Sequence, residues 1–184
     1  LLVHRIGYLA TTCDYLRLDH FRAWDTYCVI PGQDVNARRG VWWEGPRYSF
    51  FDELYRKYPK INLIAEDLGD LFPGVHELRD HYNLPGMYIT EFTVFDYSNP
   101  SKPTQVVYPG THDNQTLRGW FRTLSEENVA FLKNRFPGQD DLVKAVFDFT
   151  WNIPSKMTQQ ENIFHAKKTI LQKALSNLIM RKKS

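Results

Sequence analysis

Asp19, Glu66 and Asp113 each close a short apolar run: Tyr15-Leu-Arg-Leu-Asp-His-Phe-Arg22, Ile61-Asn-Leu-Ile-Ala-Glu-Asp-Leu-Gly69 and Val106-Val-Tyr-Pro-Gly-Thr-His-Asp-Asn114. Cleaving a glycosidic bond with retention of configuration needs an ionised carboxylate as nucleophile and a protonated carboxyl as acid and then base, about 5–5.5 Å apart, and hydrogen bonds to a sugar hydroxyl lower the barrier further. Three acids can divide those three roles. Taken singly they have plainer readings. Asp19 with Arg17 is then a structural ion pair at a strand end, Glu66-Asp67 opens a turn or caps a helix, and His112-Asp-Asn114 is turn chemistry.

The elements that must position these acids are legible around them. Each acid follows a strand-like segment at its carboxyl end, and helix-like segments lie between, which is the β/α order of a parallel sheet or barrel. In (β/α)8 barrels the chemistry sits at that face. Asp19 and Glu66 are 47 positions apart, and so are Glu66 and Asp113. That interval fits one long β/α unit with an elaborated loop, or two ordinary units with another strand between. Gly86-Met-Tyr-Ile-Thr-Glu-Phe92 supplies such a strand in the second interval. The expected class is α/β, of the TIM-barrel type.

Five segments, in order, resemble the 4-α-glucanotransferases known as amylomaltases or disproportionating enzymes, glycoside hydrolase family 77 of the α-amylase clan. They are Arg17-Leu-Asp-His-Phe-Arg22, Tyr27-Cys-Val-Ile-Pro31 with Gly40-Val-Trp-Trp-Glu-Gly-Pro46, Ala65-Glu-Asp-Leu-Gly69, Leu84-Pro-Gly-Met87 and Gly110-Thr-His-Asp-Asn114. The resemblance runs over roughly residues 1 to 122. It implies that Asp19 is the nucleophile after the fourth barrel strand, Glu66 the acid/base after the fifth and Asp113 the transition-state stabiliser after the seventh, with Arg17 and His112 as their usual companions; Trp42 and Asn114 are further candidates for binding substrate. Physical sense supports the companions. Arg17, two residues before Asp19, shares its strand face, and a nearby positive charge favours the ionised form of a carboxyl. A histidine beside Asp113 can donate a hydrogen bond to a sugar hydroxyl. Glu66 must keep its proton near neutral pH, which calls for partial desolvation or a negative neighbour, and Asp67 is a candidate for the second.

Length sets a further expectation. The chain has 184 residues and 21.7 kDa, whereas a (β/α)8 barrel typically takes about 250. The sequence therefore reads as an incomplete barrel of about strands four to seven or eight. Residues 1–123 form a partial catalytic barrel and 124–184 a helical C-terminal region, expected to belong to the same domain. Helices are expected at Leu1 to Ala10, Ser125 to Lys133 with a capping serine, Asp141 to Trp151 and Glu161 to Lys183. The missing amino-terminal half of the barrel, or self-association, would complete it.

Composition fits an enzyme acting on sugars. A net charge of +2 gives no strong pull toward nucleic acid or membrane, and no uninterrupted apolar run of about 18 residues occurs. Aromatic residues make up 15% of the chain. Trp24, Trp42, Trp43 and Trp120, with Tyr27, Tyr48 and Phe92, lie near the candidate loops, where sugar stacking and core burial are both open. Cys13 and Cys28 have neither metal-ligand nor redox spacing and read as reduced thiols of a cytoplasmic protein. No cofactor and no metal are expected. The implied partners are α-1,4-glucans and glucose, and the implied reaction is transfer of a glucan segment to the 4-hydroxyl of an acceptor. A remnant that binds α-glucan without turnover, and an α-amylase-clan hydrolase, are the alternatives.

Overall fold

Short β-branched and leucine-rich runs bounded by turn residues become strands here, and the amphipathic stretches between them become helices. The computed structural model describes residues 1–98 and 100–155. Their contacts divide them into two compact units, residues 1–86 and residues 87–155. The helix expected at Glu161 to Lys183 lies outside the described residues.

In the first unit, α1 (Leu2–Ala10) leads to β1 (Leu16–Leu18), and a short helix α2 (Arg22–Asp25) runs into β2 (Thr26–Val29). A 3-10 turn at Ala37–Arg39 precedes β3 (Val41–Glu44), then come α3 (Arg47–Lys57), β4 (Leu63–Ala65) and α4 (Pro73–His81). Proline at the first position of α4 suits a helix start, where its missing N–H is not needed. β1 and β4 pair in parallel, with Leu16 opposite Leu63, Arg17 opposite Ile64 and Leu18 opposite Ala65. β2 and β3 form an antiparallel hairpin from Thr26–Glu44 to Val29–Val41. The first interval between acids is thus one β/α unit carrying a hairpin.

β1 and β4 are held by the core beneath them. Phe21, Phe51, Leu54, Val75, Leu78 and Ala65 are fully buried in one cluster, and Phe51 lies 5.8 Å from Phe21 and 5.2 Å from Tyr82, ring centre to ring centre. Trp24 belongs to this core, 4.3 Å from Phe50. Burial is therefore the role of Trp24, and stacking on sugar is not.

The second unit takes up β5 (Gly86–Ile89), α5 (Thr90–Thr93), β6 (Gln105–Tyr108), α6 (Leu117–Phe121), α7 (Glu126–Arg135) and α8 (Leu142–Asn152). β5 and β6 are neighbours in one sheet. Val94, Leu132, Leu142 and Val146 form its core, with Phe95 and Trp120 packed against them. Ser125 accepts a hydrogen bond from the Asn128 amide and Asp141 from the Lys144 amide, capping α7 and α8. Ser125→Ala is expected to lower stability by about 1 kcal/mol, read as a lower urea midpoint at unchanged slope.

Candidate active site

The ladder between β1 and β4 continues past the last residues of both strands. The Glu66 amide donates to the Leu18 carbonyl at 3.0 Å, and the Phe21 amide donates to the Glu66 carbonyl at 3.0 Å. Asp19 and Glu66 therefore stand one step beyond the Leu18–Ala65 pair, at matching ends of adjacent parallel strands. Neighbouring strands lie about 4.8 Å apart. Main-chain bonding alone thus brings two carboxyl-bearing residues, 47 positions apart in sequence, to the same sheet edge.

Their surroundings differ. Asp19 accepts from Arg17 Nη2 at 2.8 Å, and the guanidinium is nearly buried. Glu66 loses much of its water, and this loss pushes its pKa up to about 7, with the negative charge of Asp19 adding to the rise. The His20 amide opposes that rise by donating to Glu66 Oε2 at 2.6 Å. His20 has φ near +50°, a left-handed conformation that non-glycine residues seldom adopt and that clusters at functional sites. This turn aims the amide at Glu66.

Asp67 does not supply the negative neighbour for Glu66. It is buried and paired with Arg79 of α4, and Gly86 leaves room for its carboxylate, which a side chain at that position would strike. Asp67 thereby anchors the β4–α4 connection against the residue that opens β5.

The hairpin presents Trp42 about half exposed. Its ring is gripped by Arg22, whose guanidinium carbon lies 4.3 Å from the Trp42 centroid and 4.5 Å from that of Phe72, the two rings meeting edge to face. Arg22 also donates to the Asp70 carbonyl at 2.6 Å. Sequence reasoning did not single out Arg22 or Phe72. The available signal was a second arginine three residues after Asp19. Arg22→Ala is expected to free Trp42, each cation–π contact being worth about 0.5–1 kcal/mol at an exposed site. The measurement is a rise in acrylamide quenching of tryptophan fluorescence, which Trp42→Phe would remove.

His112, Asp113 and Asn114 lie together in the second unit. His112 Nε2 is 3.4 Å from Asp113 Oδ1, and the Asp113 side chain is 81% exposed. Asn114 Oδ1 accepts from the Thr111 amide at 2.8 Å and from the Thr111 hydroxyl at 2.6 Å. The Asn114 amide returns a bond to the Thr111 carbonyl at 3.2 Å. The Asn114 side chain thus builds the turn that carries Asp113. In this way Asp19, Arg17, Glu66 and the Arg22–Trp42 clamp are brought together in the first unit, and the Thr111–Asn114 turn stands in the second.

The family profile described as 4-alpha-glucanotransferase matches residues 1–177. The chain belongs to the 4-alpha-glucanotransferase family. A chloroplastic/amyloplastic 4-alpha-glucanotransferase of Oryza sativa subsp. japonica is 41% identical over 131 residues, 68% of this chain and 22% of that protein. The Arabidopsis thaliana counterpart is 38% identical over 160 residues, 80% of this chain and 28% of that protein. The Thermus thermophilus enzyme is 36% identical over 125 residues, 64% of this chain and 25% of that protein. Among solved structures, amylomaltase from Streptococcus agalactiae in complex with acarbose superposes with a TM-score of 0.77 at 30% identity, over 85% of this chain and 34% of that one. This likeness assigns the chain a TIM-barrel-type fold. The chain spans about a quarter of the length of these curated relatives. Among the described residues, no helix is long and apolar enough to cross a membrane.

Proposed function

We propose that the chain carries the retaining machinery of a 4-α-glucanotransferase, acting on α-1,4-glucans with glucose or a glucan as acceptor. Asp19 attacks the anomeric carbon and forms a glycosyl ester, while Glu66 gives its proton to the departing 4-oxygen. Glu66, now ionised, takes the proton of an acceptor 4-hydroxyl, whose oxygen displaces Asp19 and restores the α-1,4 bond. Asp113, with His112, hydrogen-bonds a hydroxyl of the reacting sugar, and Trp42 offers a stacking face. Arg17 fixes the Asp19 carboxylate for attack.

One observation carries this reading. Burial pushes the Glu66 carboxyl up to about 7 beside an Asp19 engaged by Arg17, and two carboxyls in unlike surroundings at the matching ends of adjacent parallel strands are what double displacement needs. The acarbose held by the Streptococcus agalactiae amylomaltase supports an α-glucan-type ligand. In this proposal the remaining barrel strands come from further chain of the same protein or from a second copy. A cytoplasmic location is part of it too, although the plant relatives carry chloroplastic or amyloplastic names.

The test is incubation with maltotriose and chromatographic separation of the products. Glucose with a ladder of lengthened maltooligosaccharides is the expected result. Shortening alone would mean hydrolysis, and saccharide binding without products would mean a glucan-binding remnant.

A further inference from the structure

Glu91 is an acid for which neither the sequence reading nor the proposed reaction has a use. It follows β5 and is 4% exposed, and its Oε1 is buried and accepts no hydrogen bond from the described residues. Polar atoms in such positions are costly and rarely without purpose. The carboxyl lies against Gly110, where a Cβ would come within 2.9 Å of the carboxyl carbon and of Oε1. Gly110 is not in a left-handed conformation, so its lack of a side chain is explained by this contact and not by the backbone. The Glu91 amide donates to the Pro109 carbonyl at 3.0 Å. Main chain and side chain of one residue thus both hold the segment that leads directly into the Thr111–Asn114 turn.

We propose that Glu91 is a positioning residue for Asp113: its carboxyl supports Gly110, its amide ties Pro109, and together they fix the platform on which the Thr111–Asn114 turn presents Asp113. The proposal rests on the reading of Asp113 as a transition-state stabiliser, but its central contact is testable without turnover. Burial alone raises the Glu91 pKa, with no charged neighbour contributing, and the loop's own titratable groups are His112 and Asp113. Glutamine, of the same shape and without charge, should replace Glu91.

Hydrogen exchange at the Thr111, Asp113 and Asn114 amides, all bonded within the turn, decides the matter. Glu91→Ala is expected to speed their exchange by about tenfold or more while the Leu16 and Glu66 amides of the first unit keep their protection. Glu91→Gln should preserve wild-type protection. Gly110→Ala should loosen the same turn, and Glu91→Ala with Gly110→Ala should do so less than the sum of the single changes, because the new methyl enters vacated space. Where transfer is measured, Glu91→Ala should lower kcat and leave KM unchanged. Unchanged exchange in the turn, or acceleration spread evenly over both units, would overturn the proposal. Loss of transfer products in the wild-type chain would count instead against the proposed reaction.

Discussion

Asp19→Asn is expected to suppress the formation of lengthened maltooligosaccharides by on the order of 10⁴-fold, the scale of loss when the residue that makes the covalent bond is removed. An amide at this position still accepts a hydrogen bond from Arg17, so the fold should persist, and thermal unfolding of the variant should lie close to that of the parent. The informative combination is intact structure with absent product. A variant that still builds the ladder at a tenth of the parental rate would remove Asp19 from the role of nucleophile.

Glu66→Gln is expected to cost about 10²–10⁴-fold in transfer from maltotriose, the usual range for a positioned acid/base. Much less is lost in the first step with α-maltosyl fluoride, since fluoride leaves without a proton. The pH dependence gives a second reading of the same residue. In the proposed reaction Glu66 must be protonated to release the leaving sugar, and burial pushes its pKa up to about 7, so kcat/KM of the parent should fall as pH rises through that value. Stability follows with the same sign. A carboxyl whose folded pKa is raised contributes stability that is full below its unfolded value, and this contribution is lost as pH rises through the folded one. The loss should fall between about pH 4.5 and 7 and should vanish in Glu66→Gln. A parent whose rate is flat across this range would assign the acid elsewhere.

Much of this arrangement was legible in the residues. Leu16-Arg-Leu18, Leu63-Ile-Ala65 and Gln105 to Tyr108 are strands as their apolar, turn-bounded character suggested, whereas the strand expected over Gly86 to Phe92 ends at Ile89 and gives way to α5. Leu2 to Ala10, the Ser125-capped helix and the Asp141-capped helix also stand where periodicity put them. The hairpin was hidden, because Thr26–Val29 and Val41–Glu44 are joined across a long loop without a tight-turn signal. Register was hidden too, and with it the pairing of Asp19 with Glu66, since nothing local says which strands are neighbours. Asp67 next to Glu66 looked like its electrostatic partner. Only the tertiary contact with Arg79, twelve positions later, shows where that charge is spent. The roles of Arg22, Phe72 and Glu91 depend likewise on contacts between distant segments, and the aromatic content alone did not distinguish the buried Trp24 from the half-exposed Trp42.

The parallel register of β1 and β4 separates two kinds of change. The spacing of Asp19 and Glu66 is set by amide-to-carbonyl bonds beyond Leu18 and Ala65, in which the loop at the tip of the hairpin takes no part. Loop closure penalises added length only slowly, each doubling costing about 0.6 kcal/mol. Lengthening or shortening the loop from Pro31 to Arg39 should therefore leave the pair of acids undisturbed. A library randomised across that loop would vary the tip of the hairpin while the strand ends that carry Asp19 and Glu66 keep their register.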